Sequence, residues 1–155
     1  MNIFLAGIIQ GSHVEAKIHA QDWRTPITAA LEQYLPDADV YCHYSIHPQS
    51  ITYEMPDIRK TFKEGLAQAK TCDVLVAWLP SASMGTAIEM YEAFRCGAVV
   101  LTISPMSANW VLRLYSHKIF PGMEPFEKFI ASGELQPLLK IVQETARKAG
   151  VRKIT

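Results

Sequence analysis

The chain has 155 residues, of which 49% are hydrophobic and 19% charged, and its formal net charge is zero. This balance suits one α/β-sized globular domain spanning residues 1–155 and excludes a disordered chain. A neutral chain with scattered basic residues argues against a nucleic-acid partner, and no apolar run approaches the ~18 residues a membrane span needs.

The first apolar run, Asn2 to Ala6, ends at Gly7 and reads as a buried parallel strand rather than a signal peptide, because no basic residues precede it. Gly11, Ser12 and His13 continue a loop. Trp23 to Leu35 has apolar residues at helical spacing and stops at Pro36. Asp39 to His43 is a second strand. Tyr44 to Pro56 is a long loop rich in His, Pro, Ser and Tyr, and loops of that length in compact domains often carry function. Asp57 is placed to cap a helix that runs to Thr71, with Ile58, Phe62, Leu66 and Ala69 on its inner face.

Val74 to Leu79 is the third strand and Met84 to Cys96 the third helix, stopped by Gly97. Ala98 to Ile103 is the fourth strand. A helix is expected from Met106 to His117, a short fifth strand at Ile119 and Phe120, and closing helices over Pro125–Ala131 and Leu135–Ala149. The basic tail Arg147, Lys148, Arg152 and Lys153 reads as a solvated helix end. Alternation of strand and helix predicts a doubly wound parallel sheet of order 2-1-3-4-5, flavodoxin-like or Rossmann-like. In such sheets ligands bind at the carboxyl ends of the strands where the order reverses, here between the loops Gly7–His13 and Pro80–Gly85.

The chemistry points to the same two loops. Ser81, Ala82, Ser83 and Gly85 are small and open a helix whose first-turn N–H groups favour an anion or a polar sugar. Ser83 suits the N-cap, with Thr86 three residues on. Glu89 lies just over one turn in, and its side chain leans back over Thr86 and Gly85. The buried stripe of this helix is expected at Ala87, Tyr91 and Phe94, with Ile88 beside it. Glu89 lies off that stripe, and Glu92 reads as a solvated carboxylate. Cys42, Cys72 and Cys96 have no metal or redox spacing and fit reduced thiols in a cytoplasmic protein, with Cys42 and Cys72 as small core residues.

Three segments together resemble the nucleoside 2-deoxyribosyltransferase superfamily, which includes the 2'-deoxynucleoside 5'-monophosphate N-glycosidases: Phe4–Gly7 (FLAG), Asp73–Ala77 (DVLVA) and Ser83–Ala93 (SMGTAIEMYEA). The resemblance runs from the first strand to about Asn109. It implies that Glu89 is the nucleophile at C1' of a nucleoside or nucleotide. A carboxylate suits an oxocarbenium-like centre, and the helix N-terminus is expected to keep it ionised. The substrate-binding set implied around it is Phe4, Gly7, Gln10, Ser81, Ser83, Gly85, Thr86 and Asn109. Asn109 would reach a neighbouring subunit's site in a homodimer or larger assembly. No cofactor and no metal are called for.

The chain departs from that pattern at several places. Phe4 stands where a tyrosine usually orients the glutamate, and Gly65 where an aspartate serves the leaving base. Ile8 and Gln10 stand where the nucleotide branch has serine and arginine. A catalytically silent nucleotide-binding or sensor domain and an NAD-type glycohydrolase are therefore the alternative readings. His13, His19, Glu15 and Asp22 read as polar loop residues rather than metal ligands. His43, His47, Tyr44 and Tyr53 are within reach of a base, and Trp110 is read as core.

Overall fold

Short runs of apolar residues become strands buried on both faces. In the computed structural model, which describes residues 1–151, these are β1 (Asn2–Gly7), β2 (Asp39–Cys42), β3 (Val74–Trp78), β4 (Val99–Ile103) and β5 (Lys118–Phe120). They pair in parallel in the order β2-β1-β3-β4-β5, as the alternation of elements predicted. Arg152 and Lys153 of the basic tail lie outside the described residues.

Successive strand residues face opposite sides of the sheet. Ile3, Leu5, Val74, Val76, Val99 and Leu101 face one side, where they meet Ile27 and Leu31 of α1 (Arg24–Tyr34) and Phe126 and Ile130 of α6 (Met123–Ala131). Leu135, the first residue of α7 (Leu135–Lys148), closes that layer. Phe4, Ala6, Leu75, Ala77 and Val100 face the other side. Here they pack on Ala69 of α3 (Met55–Thr71), Met90 and Ala93 of α4 (Met84–Arg95) and Leu112 of α5 (Trp110–Tyr115). Among the described residues no helix is long and apolar enough to cross a membrane.

Local readings shift at four places. β2 stops at Cys42, and the expected loop begins with a short helix, α2 (His43–Ile46), followed by a single 3-10 turn at Ser50–Thr52. Helix α3 starts at Met55, so Asp57 sits in its first turn instead of capping it, still at the end where its charge is favourable. Helix α5 begins only at Trp110, because the Asn109 side chain accepts from the backbone N–H groups of Val111 and Leu112 at 2.9 and 3.3 Å. Trp110 is 80% exposed and is not a core residue.

The fourth shift matters most. The buried residues of α4 are Thr86, Met90 and Ala93, while Ile88 and Tyr91 are exposed. Glu89 therefore shares the inward side with Thr86, Met90 and Ala93, and does not lie off it. Helix α3 behaves alike: Thr61, Gly65 and Ala69 are buried and Ile58 and Phe62 are exposed. The two helices approach over small residues, which turns their larger apolar side chains sideways. Gly97 ends α4 as expected, at φ +82°.

Candidate active site

A cavity of about 350 Å³ opens at the carboxyl ends of β1 and β3. Its wall includes Gly7, Gln10 and Gly11 from the loop after β1, and Ser83, Gly85, Thr86 and Glu89 from the start of α4. His43 and Tyr53 line it from the segment after β2, and Ile58, Phe62 and Gly65 from α3. The two loops expected to meet at the switch point therefore do meet, with Glu89 between them.

Helix α4 starts where Ser83, in an extended conformation, ends the loop. Its Oγ accepts from the Thr86 backbone N–H at 3.5 Å and from the Thr86 hydroxyl at 3.0 Å. The space above Gly85 is nearly open: a Cβ built there would meet only Phe62, at 3.9 Å. Gly7 is different. A Cβ on it would lie 2.5 Å from the Trp23 ring and 2.9 Å from the Trp78 carbonyl, so its lack of a side chain lets Trp23 stack on Trp78 at 5.9 Å.

Glu89 is enclosed by protein, and what remains exposed faces the cavity. Burial pushes its carboxyl up to about 8, and the charge of Arg24 opposes that rise. Burial thus outweighs the helix N-terminus that was expected to keep the group ionised, and favours the protonated carboxyl at pH 7. Arg24 enters from the first turn of α1 and is 9% exposed. Its guanidinium donates to Gln21 Oε1 at 3.0 Å and to Cys42 Sγ at 3.2 Å, and stacks over Trp23 at 4.1 Å. Burial lowers its pKa, offset by Cys42, Glu89 and Tyr44. Cys42, half-buried against the core at the strand end, is thus also a partner of this cation.

On the far wall Gly65 leaves a gap. A Cβ built on Gly65 would lie 3.5 Å from Glu89 Oε1 and 3.7 Å from His43 Nδ1. His43 Nδ1 is 2.8 Å from the Tyr41 hydroxyl. The His43 and His47 rings are 4.8 Å apart, and His47 reaches the Tyr53 hydroxyl at 3.2 Å and Glu64 at 3.4 Å. Burial lowers the His43 value first; His47 and Arg24 lower it further, and Glu64 opposes them.

The remaining expected residues are spread out. Phe4 is 1% exposed in the core, its ring 5.4 Å from that of Tyr41, and it is not on the cavity wall. Gln10 reaches the wall, but its amide holds the loop together through the carbonyls of His13 and Glu15. Ser81 and Asn109 are off the wall, and Asn109 caps α5. His13 and His19 stack on each other at 4.2 Å, and no metal-holding cluster occurs among the described residues. Glu92 is not a free solvated carboxylate: it ties α4 to Lys70 of α3 at 3.9 Å and to Arg95 at 3.6 Å. The sequence set did not contain Arg24, and His43 was only one of several rings near a base. The signal for each was position, since Arg24 follows the loop after β1 and His43 directly follows β2, both at the carboxyl edge of the sheet.

These features define a doubly wound parallel sheet with a ligand cavity at its switch point. The chain is similar in structure to a 2-deoxyribosyltransferase of Bacillus psychrosaccharolyticus, with a TM-score of 0.59 and 19% identity over 82% of this chain and 90% of that one. A conserved protein of Enterococcus faecalis matches with a TM-score of 0.59 and 16% identity, over 85% of this chain and 98% of that one. The CMP N-glycosidase of Clostridium botulinum matches with a TM-score of 0.50 and 19% identity, over 83% of this chain and 96% of that one. No protein-family model and no curated protein matches the sequence. The likeness is therefore one of fold, a doubly wound parallel sheet like that of the 2-deoxyribosyltransferase and the CMP N-glycosidase.

Proposed function

We propose that the chain is an N-glycosidase or deoxyribosyltransferase acting on a nucleoside or nucleotide, with Glu89 as the nucleophile at C1'. The observation that carries this reading is the enclosed carboxyl of Glu89 at a cavity of about 350 Å³, beside the small residues that open α4. That volume accommodates a nucleoside-sized ligand. Ser83, Gly85 and Thr86 then face the sugar, and the rings of Tyr53 and Phe62 flank the base. No lysine or arginine lines the wall among the described residues, which favours an unphosphorylated nucleoside over its monophosphate. Incubation with nucleosides, their monophosphates and NAD, with free base followed by chromatography, tests the reading. Release of base from a nucleoside supports it. Absence of release from every compound overturns it.

A binding domain without turnover is the second reading, favoured by the bias of Glu89 toward its protonated form at pH 7. It expects nucleosides to bind by calorimetry with no base released. For assembly we propose a homodimer that covers the exposed Trp110 and Leu114 of α5 and Ile88 and Tyr91 of α4. A monomer by light scattering at micromolar concentration would refute it and remove Asn109 from any shared site.

A further inference from the structure

We propose that Glu64, His47 and Tyr53 form a proton relay in which the Tyr53 hydroxyl protonates the departing base. This rests on the N-glycosidase reading and names the second group of that site, on the wall that faces α4. Of the three residues, Tyr53 alone lines the cavity. Its hydroxyl is 3.2 Å from His47 Nδ1, and His47 Nε2 is 3.4 Å from Glu64 Oε2. An imidazole with a carboxylate at one nitrogen and a hydroxyl at the other is built to carry a proton to or from that hydroxyl.

The chain assembles this arrangement from two neighbouring segments. His47 ends α2, its backbone N–H donating to the His43 carbonyl at 3.0 Å. The N–H groups of Ser50, Thr52 and Tyr53 then donate to the carbonyls of His47, Gln49 and Ser50 at 3.1, 3.0 and 3.2 Å. The turn so closed brings the Tyr53 ring back against that of His47, edge-on at 6.0 Å. Glu64 comes from α3, where Gly65 borders the cavity and Glu64 meets His47 behind the wall. The Glu64 side chain is 43% exposed and that of His47 18%, so the three groups lead from solvent inward to the ligand. The His43 ring lies 4.8 Å from that of His47. Burial disfavours a charge on His43, so a proton on His47 meets the Glu64 carboxylate and no competing charge from that neighbour.

The bond changes follow. With both ring nitrogens of His47 protonated, Nε2–H faces Glu64 and Nδ1–H donates to the Tyr53 oxygen, which leaves the phenol O–H for the ligand. The C1'–N bond breaks and its electron pair goes to the base nitrogen. That nitrogen takes the Tyr53 proton while the Nδ1 proton passes to the Tyr53 oxygen, leaving His47 neutral. The Glu89 carboxylate oxygen bonds to C1'. In the second half, water stands where the base stood and its oxygen bonds to C1'. A water proton goes to the Tyr53 oxygen as the phenol proton returns to His47 Nδ1. The ester C1'–O bond breaks with its electrons returning to Glu89. The sum is nucleoside plus water giving base plus sugar, with the relay restored.

The test measures turnover on a nucleoside and on the nitrophenyl glycoside of the same sugar, whose phenolate leaves without a proton. The readout is the ratio of the two rates within one protein, which is independent of the fraction folded. In Tyr53→Phe this ratio is expected to fall on the order of 10²-fold, and in His47→Gln on the order of tenfold. Glu64→Gln keeps an acceptor for Nε2 without the charge, and should lower the ratio less than His47→Gln. A ratio in Tyr53→Phe within about threefold of wild type would overturn the proposal and leave the N-glycosidase reading standing. A fall in Tyr53→Phe with no fall in His47→Gln would overturn the relay. Failure of wild type to cleave either substrate would overturn both the relay and the N-glycosidase reading.

Discussion

The two walls of the cavity are built in opposite ways. The α4 wall comes from one short stretch, Ser83 to Glu89, and offers small residues, a helix start and a carboxyl. Its one internal bond network, Thr86 to Ser83, serves the helix cap. The facing wall is collected from α2, the 3-10 turn and α3, and offers His43 and Tyr53, which are bonded from behind by Tyr41 and by His47, itself beside Glu64. One wall is made by chain direction, the other by packing of distant segments. A nucleophile needs only the first. A group that handles a leaving base needs the second, since it must stand across the ligand.

The largest expected effect comes from the α4 wall. Glu89→Gln keeps shape and removes the attacking charge, so base release should fall by about three orders of magnitude or more. Full activity in this variant, read by chromatography, would shift the chemistry to the facing wall. The same substitution should change the pH dependence of folding. The ordinary value of 4.5 rises to about 8 in the folded chain. Between those values the folded protein holds a proton that the unfolded chain has released. Wild-type stability is therefore full below about pH 4.5 and is lost as pH rises toward 8. The Gln variant escapes that loss, and at pH 9 it should be more stable than wild type by on the order of 5 kcal/mol. Urea melts at pH 5 and pH 9 measure it, and equal pH dependence in both proteins would deny the burial of the carboxyl.

An intermediate effect is expected behind the two walls, at Arg24. Arg24→Met keeps much of the buried stem but removes the cation that opposes the rise in Glu89. Ionising Glu89 should become harder, turnover at pH 7.5 should fall about tenfold, and the limb of the rate profile set by Glu89 ionisation should move to higher pH. An unmoved limb would break the link between Arg24 and the α4 wall. The smallest effect is on the facing wall. Gly65→Ala adds a methyl at ordinary contact distance, 3.5 Å from Glu89 Oε1. It should stabilise α3 by about 0.5–1 kcal/mol while slowing turnover several-fold. A melting temperature that rises with an unchanged rate would show that the gap over Gly65 is not used.

The difference between the walls also decides what could be read before the fold was known. The order of the sheet was legible because each strand is a short apolar run closed by a turn residue. The Ser83–Glu89 wall was legible because its parts are neighbours in the chain. The phase of α4 was not, because Thr86 and Ala93 carry little apolar signal beside Ile88 and Tyr91, so hydropathy pointed to the wrong face. His43 could not be singled out for a different reason. Its neighbours Tyr41, His47 and Glu64 come from three elements, and only the α3–α4 approach over Gly65 brings Glu89 to the same gap. Phe4 and Gly65 looked like losses in the sequence. In the fold, Tyr41 lies in register with Phe4 and His43 lies beside Gly65, so hydroxyl and imidazole stand on the neighbouring strand and helix instead.

The close fit of Trp23 against Gly7 has an optical consequence. Trp23 is stacked on Trp78 and covered by the Arg24 guanidinium, while Gly7 itself lines the cavity. Two of the chain's three indoles are thus an emitting couple one residue's thickness from the ligand space, and the third, Trp110, sits in solvent. Occupancy of the cavity is therefore expected to change the blue edge of the intrinsic fluorescence, while Trp110 emits to the red in a monomer and moves to the blue where a homodimer covers it.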